Sequence, residues 1–236
     1  MLINLTIILL GLNAPWTRAL GPDQRIPLLE WLPLELSRLG LLSFAAATPV
    51  VIVVAALLAG IGAILRVWGA AWLGPGIVLH GQMQAGAVMA NGPYRYVRNP
   101  LYLGVWCLVA GLGLLMPPTG AFVTMVLLTV FLLRLIFGEE AFLTAQLGEP
   151  YLAYLQAVPR LIPRLRNTLP RTGRKPQWVR GGLSEITPIG IFVALAFLSW
   201  TYNERLMART IIVSFGVGLM MRAFTLGVSK ESHSAE

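Results

Sequence analysis

Apolar residues in this chain come in long unbroken runs, not in the spaced stripes of half-buried elements. A helix that crosses a bilayer needs about 20 mostly apolar residues. Residues 45–65 reach that length, with Arg66 marking the end of the run and Pro49 predicting a kink near its start. From Asn99 to Leu133 no residue is charged, and Pro117-Pro118 divides this run into legs at residues 101–116 and 119–137. That pattern predicts a helical hairpin with legs of 16 and 19 residues, roughly 24 to 29 Å at 1.5 Å per residue. Residues 186–202 and 208–226 predict a second hairpin, with Arg209 and Arg222 near the ends of its last span. Residues 2–12 are short for a crossing and predict a partial or interfacial helix. The pattern thus predicts five spans, with residues 2–12 a candidate sixth, and it shows no internal repeat.

Composition supports this reading. Of 236 residues, 56% are hydrophobic and 12% charged, against about 25% charged in a soluble domain; the mean hydropathy is +0.72. The chain has too little polar surface for an ordinary soluble enzyme, and too many apolar residues for a disordered chain. The predicted class is an all-α, polytopic integral membrane protein. Its net charge of +8 would suit nucleic acid if the charge were spread over a solvated face. Instead, seven basic and no acidic residues fall between Arg160 and Arg180, and eleven basic against ten acidic lie elsewhere. One basic block beside apolar spans reads as a cytoplasmic loop able to touch anionic lipid, and no nucleic-acid partner is expected. Arg95 and Arg98 precede the hairpin and the basic block follows it, so two crossings put both on the cytoplasmic side. The predicted division is an N-terminal apolar segment and loop (1–44), a membrane core (45–166), a basic linker (167–183) and a C-terminal hairpin with a polar tail (184–236). Cys107 is the single cysteine and sits in an apolar run, where a packed small residue is expected. His80 and His233 have no partner histidine, so no metal site is predicted. The N-terminus lacks a positive n-region and Ala14-Pro15 is a poor cleavage site, so residues 2–12 are expected to be retained.

The hairpin leaves the cytoplasmic face after Arg98-Asn99-Pro100 and returns to it at Glu139-Glu140. Two polar clusters therefore arrive at one depth, and ionisable groups there suggest a functional site. The plainer alternative is that Arg95, Arg98 and Arg134 anchor helix ends and pair with the glutamates. Neighbours on a helix point about 100° apart, so Glu139 and Glu140 cannot both face one cleft. One is expected to face a ligand and the other an arginine or the interface. Gly148 predicts a helix stop and Glu149-Pro150 a helix start. Tyr151, Tyr154 and Val158 then share a face of a helix lying along the membrane surface, which ends at Pro159 and Pro163 beside Arg160 and Arg164. That segment could cap the hairpin mouth, or its tyrosines could be interfacial anchors.

The run Gly92-Pro93-Tyr94-Arg95-Tyr96-Val97-Arg98-Asn99-Pro100-Leu101-Tyr102-Leu103-Gly104, followed by Glu139-Glu140, by Gly148-Glu149-Pro150-Tyr151 and by Val158-Pro159-Arg160, resembles the isoprenylcysteine carboxyl methyltransferase family. The phospholipid N-methyltransferases share much of the pattern, which spans residues 65–166. The resemblance implies a methyltransferase that encloses S-adenosylmethionine on the cytosolic side and meets a lipophilic acceptor from the bilayer. It implicates Tyr94, Arg95, Arg98, Asn99, Tyr102, Leu103 and Gly104 in shaping the cofactor pocket. It makes Glu139 and Glu140 polar partners of the cofactor and places Tyr151, Tyr154 and Arg160 in the cap. Arg98, Asn99 and Glu140 are the candidate catalytic residues. Many members carry histidine where this chain has Asn99, which cannot titrate near neutral pH and so is no acid or base. The chemistry fits: an arginine suits the carboxylate of the cofactor, and tyrosine walls suit adenine. Two other readings stay open at this point, an NADPH-dependent sterol-type reductase and a non-catalytic membrane scaffold or transporter. Carboxyl, amine, hydroxyl and thiol acceptors, and a homo-oligomer, are all compatible with the sequence.

Overall fold

The computed structural model describes residues 6–10, 26–73, 91–164 and 175–233, and every regular element among them is helical. A helical piece occupies 6–10; the rest of the predicted segment 2–12 lies outside the described residues, as does His80. The helices are α1 (Leu28–Arg38), α2 (Phe44–Leu73), α3 (Pro100–Gly113), α4 (Pro118–Leu147), α5 (Glu149–Ala157), α6 (Trp178–Ser184), α7 (Ile186–Thr201) and α8 (Glu204–His233), with a single 3₁₀ turn at Gly92–Arg95. By length and composition α2 and α4 can each cross a membrane, and α6 with α7, bent by 72°, makes a third span if counted as one. Among the described residues this gives two or three spans where five were predicted. The first hairpin leg is a helix of only 14 residues, about 21 Å long, against a hydrocarbon core of about 30 Å. The predicted span at 208–226 lies within α8, whose side chains from 224 onward are outside the described residues. Part of the expected basic linker is also helical, because α6 starts at Trp178.

Arg66 does not end its helix. The apolar run continues through it to Leu73, since arginine is a good helix former and its charge is met in place by Glu185. Pro49 lies inside the same helix.

Close backbone contact holds α2 against α3. In lipid no hydrophobic force favours helix over solvent tail, so small residues that let backbones approach supply the packing. A Cβ on Gly62 would lie 2.6 Å from the Gly104 carbonyl oxygen, and one on Gly111 would lie 2.8 Å from that of Ala55. These contacts run α2 and α3 antiparallel. The α3–α4 turn reverses the chain again, so α4 runs parallel to α2. On the α4 side, Val109 packs with Leu128 and Leu132. On the other side of α2, Ile52, Ala56 and Ala59 pack with Leu108 of α3 and with Ile191, Leu195 and Leu198 of α7. The backbone N–H groups of Leu28 and Leu29, which have no partner within α1, donate to the carbonyls of Met116 and Leu114 at 2.8 Å and secure the α3–α4 turn. That turn marks one end of the bundle. The opposite end collects Arg66, the loop before α3, the last turns of α4, and α5.

Candidate functional site

Asn99 is the residue before α3, and its backbone is held out of the helical region, with φ −121° and ψ 56°, as expected where Pro100 follows it. Antiparallel packing brings Glu140 of α4 to the same level. The legs are unequal, 14 and 30 residues, yet the two clusters still meet, because α4 simply runs on past the mouth of the hairpin to Leu147. Glu140 is buried and clamped from two sides. Arg98 Nη1 lies 3.1 Å from Glu140 Oε1, and Arg160 Nη2 donates to Glu140 Oε2 at 2.8 Å. Arg160 Nε adds contacts of 3.2 Å to both carboxylate oxygens. Asn99 Nδ2 donates to the Arg160 carbonyl at 3.2 Å and to Glu140 Oε1 at 3.5 Å. Phe137 lies under the Arg160 guanidinium, 4.7 Å from ring centre to Cζ. Two guanidinium groups thus face one carboxylate, leaving one positive charge, and the buried Arg98 Nε has no hydrogen-bond partner.

The structure separates the roles of the acidic pair as the 100° rule requires. Glu140 takes the arginines. Glu139 is exposed and accepts a hydrogen bond from the Tyr102 hydroxyl at 2.5 Å. One turn further along α3, Trp106 Nε1 donates to Thr129 Oγ1 at 3.1 Å, so a polar seam runs up the outer face of the hairpin. Arg134 is exposed on α4 and takes no part in the clamp.

Beyond the hairpin, Gly148 ends α4 and precedes α5 with φ +61°, a conformation that favours glycine. The chain doubles back, and Tyr151, Tyr154 and Val158 pack with Leu143. Only 6% and 7% of Tyr151 and Tyr154 is exposed, which overturns the reading of these tyrosines as interfacial anchors. The Tyr154 hydroxyl donates to the Tyr94 carbonyl at 2.8 Å. Two backbone bonds, Arg98 N–H to Pro159 O and Arg164 N–H to Tyr96 O, each 2.9 Å, tie the segment after α5 to the loop before α3. The cap and the hairpin mouth are therefore one unit.

Burial pushes the Tyr151 phenol up to about 12 from an ordinary 10.0, and it raises Tyr154 and Tyr94 as well. A raised value means the folded state prefers the neutral phenol. This contribution is complete below pH 10 and is lost as pH rises through the folded-state values, beginning between 10.0 and about 12 with Tyr151. The cap should therefore release in alkali, visible as tyrosinate absorbance rising together with proteolysis after residue 148. The Tyr154→Phe variant should lose about 1 kcal/mol of stability, read from thermal unfolding in detergent. An unchanged midpoint would show that this hydroxyl does not hold the cap.

The other residues implicated by the sequence fall around this clamp with different neighbours. Tyr94 is buried in the 3₁₀ turn, and its hydroxyl has no hydrogen-bond partner. Arg95 ends that turn, and Leu103 lies on the half-buried face of α3. Gly104 sits in the α2–α3 contact, where a Cβ would lie 2.6 Å from Arg66 Cγ. Cys107 is buried nearby in α3. Two residues escaped sequence reasoning. Arg66 Nε and Nη2 donate to the two carboxylate oxygens of Glu185 at 2.6 and 2.9 Å, and Glu185 is fully buried. A signal for them existed: Arg66 is the one Lys, Arg, Asp or Glu between Arg38 and Arg95, and Glu185 the one acidic residue between Glu149 and Glu204. Lone charges in apolar surroundings need partners.

No curated protein and no solved structure matches the chain. Residues 50–149, which supply most of α2, all of α3 and α4 and all of the site except α5 and Arg160, match the phospholipid methyltransferase family model, and this part of the chain is similar to that methyltransferase family.

Proposed function

We propose that the protein is a membrane-embedded methyltransferase that uses S-adenosylmethionine to methylate a lipophilic acceptor by in-line transfer, with the site on the cytosolic side. The observation that carries this reading is the Glu140 clamp, whose Arg98, Asn99 and Glu140 lie in a stretch similar to a methyltransferase family and whose Arg160 follows it. A clamp with two guanidiniums and one carboxylate calls for one more anion, and the carboxylate of the cofactor is such a group. Three buried donors without partners, Arg98 Nε, Tyr94 Oη and Trp72 Nε1, belong to the same end of the bundle and fit a polar ligand.

The cofactor supplies an electrophilic methyl group on a sulfonium. Arg98 would hold its carboxylate with charge-assisted hydrogen bonds, while Arg160 and Glu140 fix the orientation of Arg98. Asn99 joins the clamp to the start of α3. Tyr94, Arg95, Tyr102 and Leu103 would shape the pocket, and Gly104 would set how closely its floor approaches α2. Tyr151 and Tyr154 hold the cap that excludes water. Alignment of donor and acceptor can lower such a barrier by about 7 to 11 kcal/mol. An amine or hydroxyl acceptor would also need its proton removed. Glu140 is committed to two arginines, so Glu139 is the available base. A carboxylate acceptor would need none. The exposed face of the hairpin admits the acceptor from the lipid, and the basic residues of 160–180 hold the site on the cytoplasmic side.

Calorimetry on detergent-solubilised protein tests this directly. Heat with S-adenosylmethionine and with its demethylated product, and none with NADPH, is the expected result. Heat with NADPH alone would overturn it in favour of a reductase, and silence from all three in favour of a scaffold. Incubation of a lipid extract with labelled methyl donor, followed by mass spectrometry, then identifies the acceptor.

A further inference from the structure

The C-terminal helices lie outside the stretch that matches the family, yet one of their residues reaches the core. Glu185 stands at the 72° bend between α6 and α7 with none of its surface exposed. Both carboxylate oxygens are taken by Arg66 of α2. The same guanidinium reaches across to α3, where Nη1 donates to the Leu101 carbonyl at 3.4 Å, and the Arg66 Cγ abuts Gly104. Leu101 lies in the first turn of α3, between Asn99 of the clamp and Tyr102, the partner of Glu139. Two further contacts keep the bend seated on α2: Gln177 N–H donates to the Ala71 carbonyl at 2.8 Å, and a Cβ on Gly181 would lie 2.7 Å from Ala71 N.

From this geometry we infer that the Arg66–Glu185 pair is a positioning device, through which the C-terminal helices hold the first turn of α3, and with it Asn99 and Tyr102, in register with the site. The inference rests on the methyltransferase reading for its functional consequence. The physical reason is directional. A guanidinium is a planar fork, so two of its nitrogens held by Glu185 fix where the third one points. Without Glu185 an uncompensated guanidinium faces Leu101, Gly104 and the Tyr102–Glu139 bond. Without Arg66 the first turn of α3 loses its lateral hydrogen bond. Neither residue touches substrate or cofactor in this scheme; both act through α3.

The test separates positioning from folding. Replacing a buried ion pair with apolar residues of similar size is often neutral for stability, so the double variant Arg66→Met with Glu185→Leu should regain the unfolding midpoint that each single variant loses. Its fold should recover while its site does not. Amide exchange over residues 98–104 should stay faster than in the wild type, and S-adenosylmethionine affinity should stay at least tenfold weaker. Arg66→Lys keeps the charge but not the fork; it should show the same exchange and affinity defects with little loss of stability. Wild-type exchange and affinity in either variant would overturn the inference. Faster exchange in these variants, with no cofactor binding by the wild-type protein, would support the positioning contact and instead sink the methyltransferase reading.

Discussion

Glu140→Gln should weaken binding of S-adenosylmethionine and of its demethylated product by on the order of a hundredfold, about 2.8 kcal/mol. The glutamine keeps the volume of the side chain and can still accept one hydrogen bond. It cannot balance Arg98 at 3.1 Å and Arg160 at 2.8 Å at once. The two guanidiniums then repel, and Arg98, whose side chain is 12% exposed, has little water to turn to. Taking one partner from a buried pair costs about 3–5 kcal/mol when nothing replaces it. The isosteric variant should therefore stay helical with a lowered unfolding midpoint, while Arg98→Ala should lose affinity to a similar degree. Glu139→Gln is the internal comparison. Its carboxylate is exposed and, among the described residues, accepts a hydrogen bond from the Tyr102 hydroxyl, so affinity should fall by less than about tenfold, with any larger effect appearing in the transfer rate. Calorimetry and single-turnover transfer in the same detergent measure both. Equal losses of affinity in the two glutamine variants would show that the acidic pair acts as a diffuse charge and that the clamp has no special role.

Gly62→Leu should prevent α2 and α3 from docking and leave little folded protein. The new Cβ would lie 2.6 Å from the Gly104 carbonyl oxygen, 2.7 Å from Leu108 Cγ and 2.9 Å from the Leu108 backbone nitrogen. The Leu108 side chain could shift, but the two backbone atoms of the neighbouring helix cannot rotate away, so the helices must separate. Adding carbons to a tight core costs about 1–3 kcal/mol even where side chains can adjust, and more is expected here. The opposite sign is expected for Gly138→Ala, because no atom lies within 4 Å of its Cβ position. There the change should stabilise α4 by about 0.5–1 kcal/mol. Thermal unfolding of both variants in detergent decides the matter. A stable Gly62→Leu protein with wild-type affinity would refute the close contact.

The same contact shows why some of this molecule was legible in the sequence and some was not. Long apolar runs and Pro117-Pro118 reveal helices and their reversal, because those signals are local. The start of α5 at Glu149 and the shared face of Tyr151, Tyr154 and Val158 also follow from local rules. Counting spans failed where hydrophobicity was read as length. The first hairpin leg is apolar over 16 residues but helical over 14, and its last residues close a 3₁₀-type turn through Leu114, Leu115 and Met116. Arg66 was misread as a helix end because the residue that neutralises it lies 119 positions away.

By itself, then, the amino-acid order determined the all-helical membrane class, the hairpin, the helix break at Gly148 and the meeting of Asn99 with Glu139-Glu140 at one level. Each of those depends on neighbours within a few turns and on the apolar cost of a misplaced charge. Only the tertiary structure decided which glutamate takes the arginines, that Tyr151 and Tyr154 are packed inside, and that Glu185 reaches Arg66. Those outcomes are set by how closely backbones approach and by which direction a planar guanidinium points, and neither quantity is written in a one-dimensional pattern.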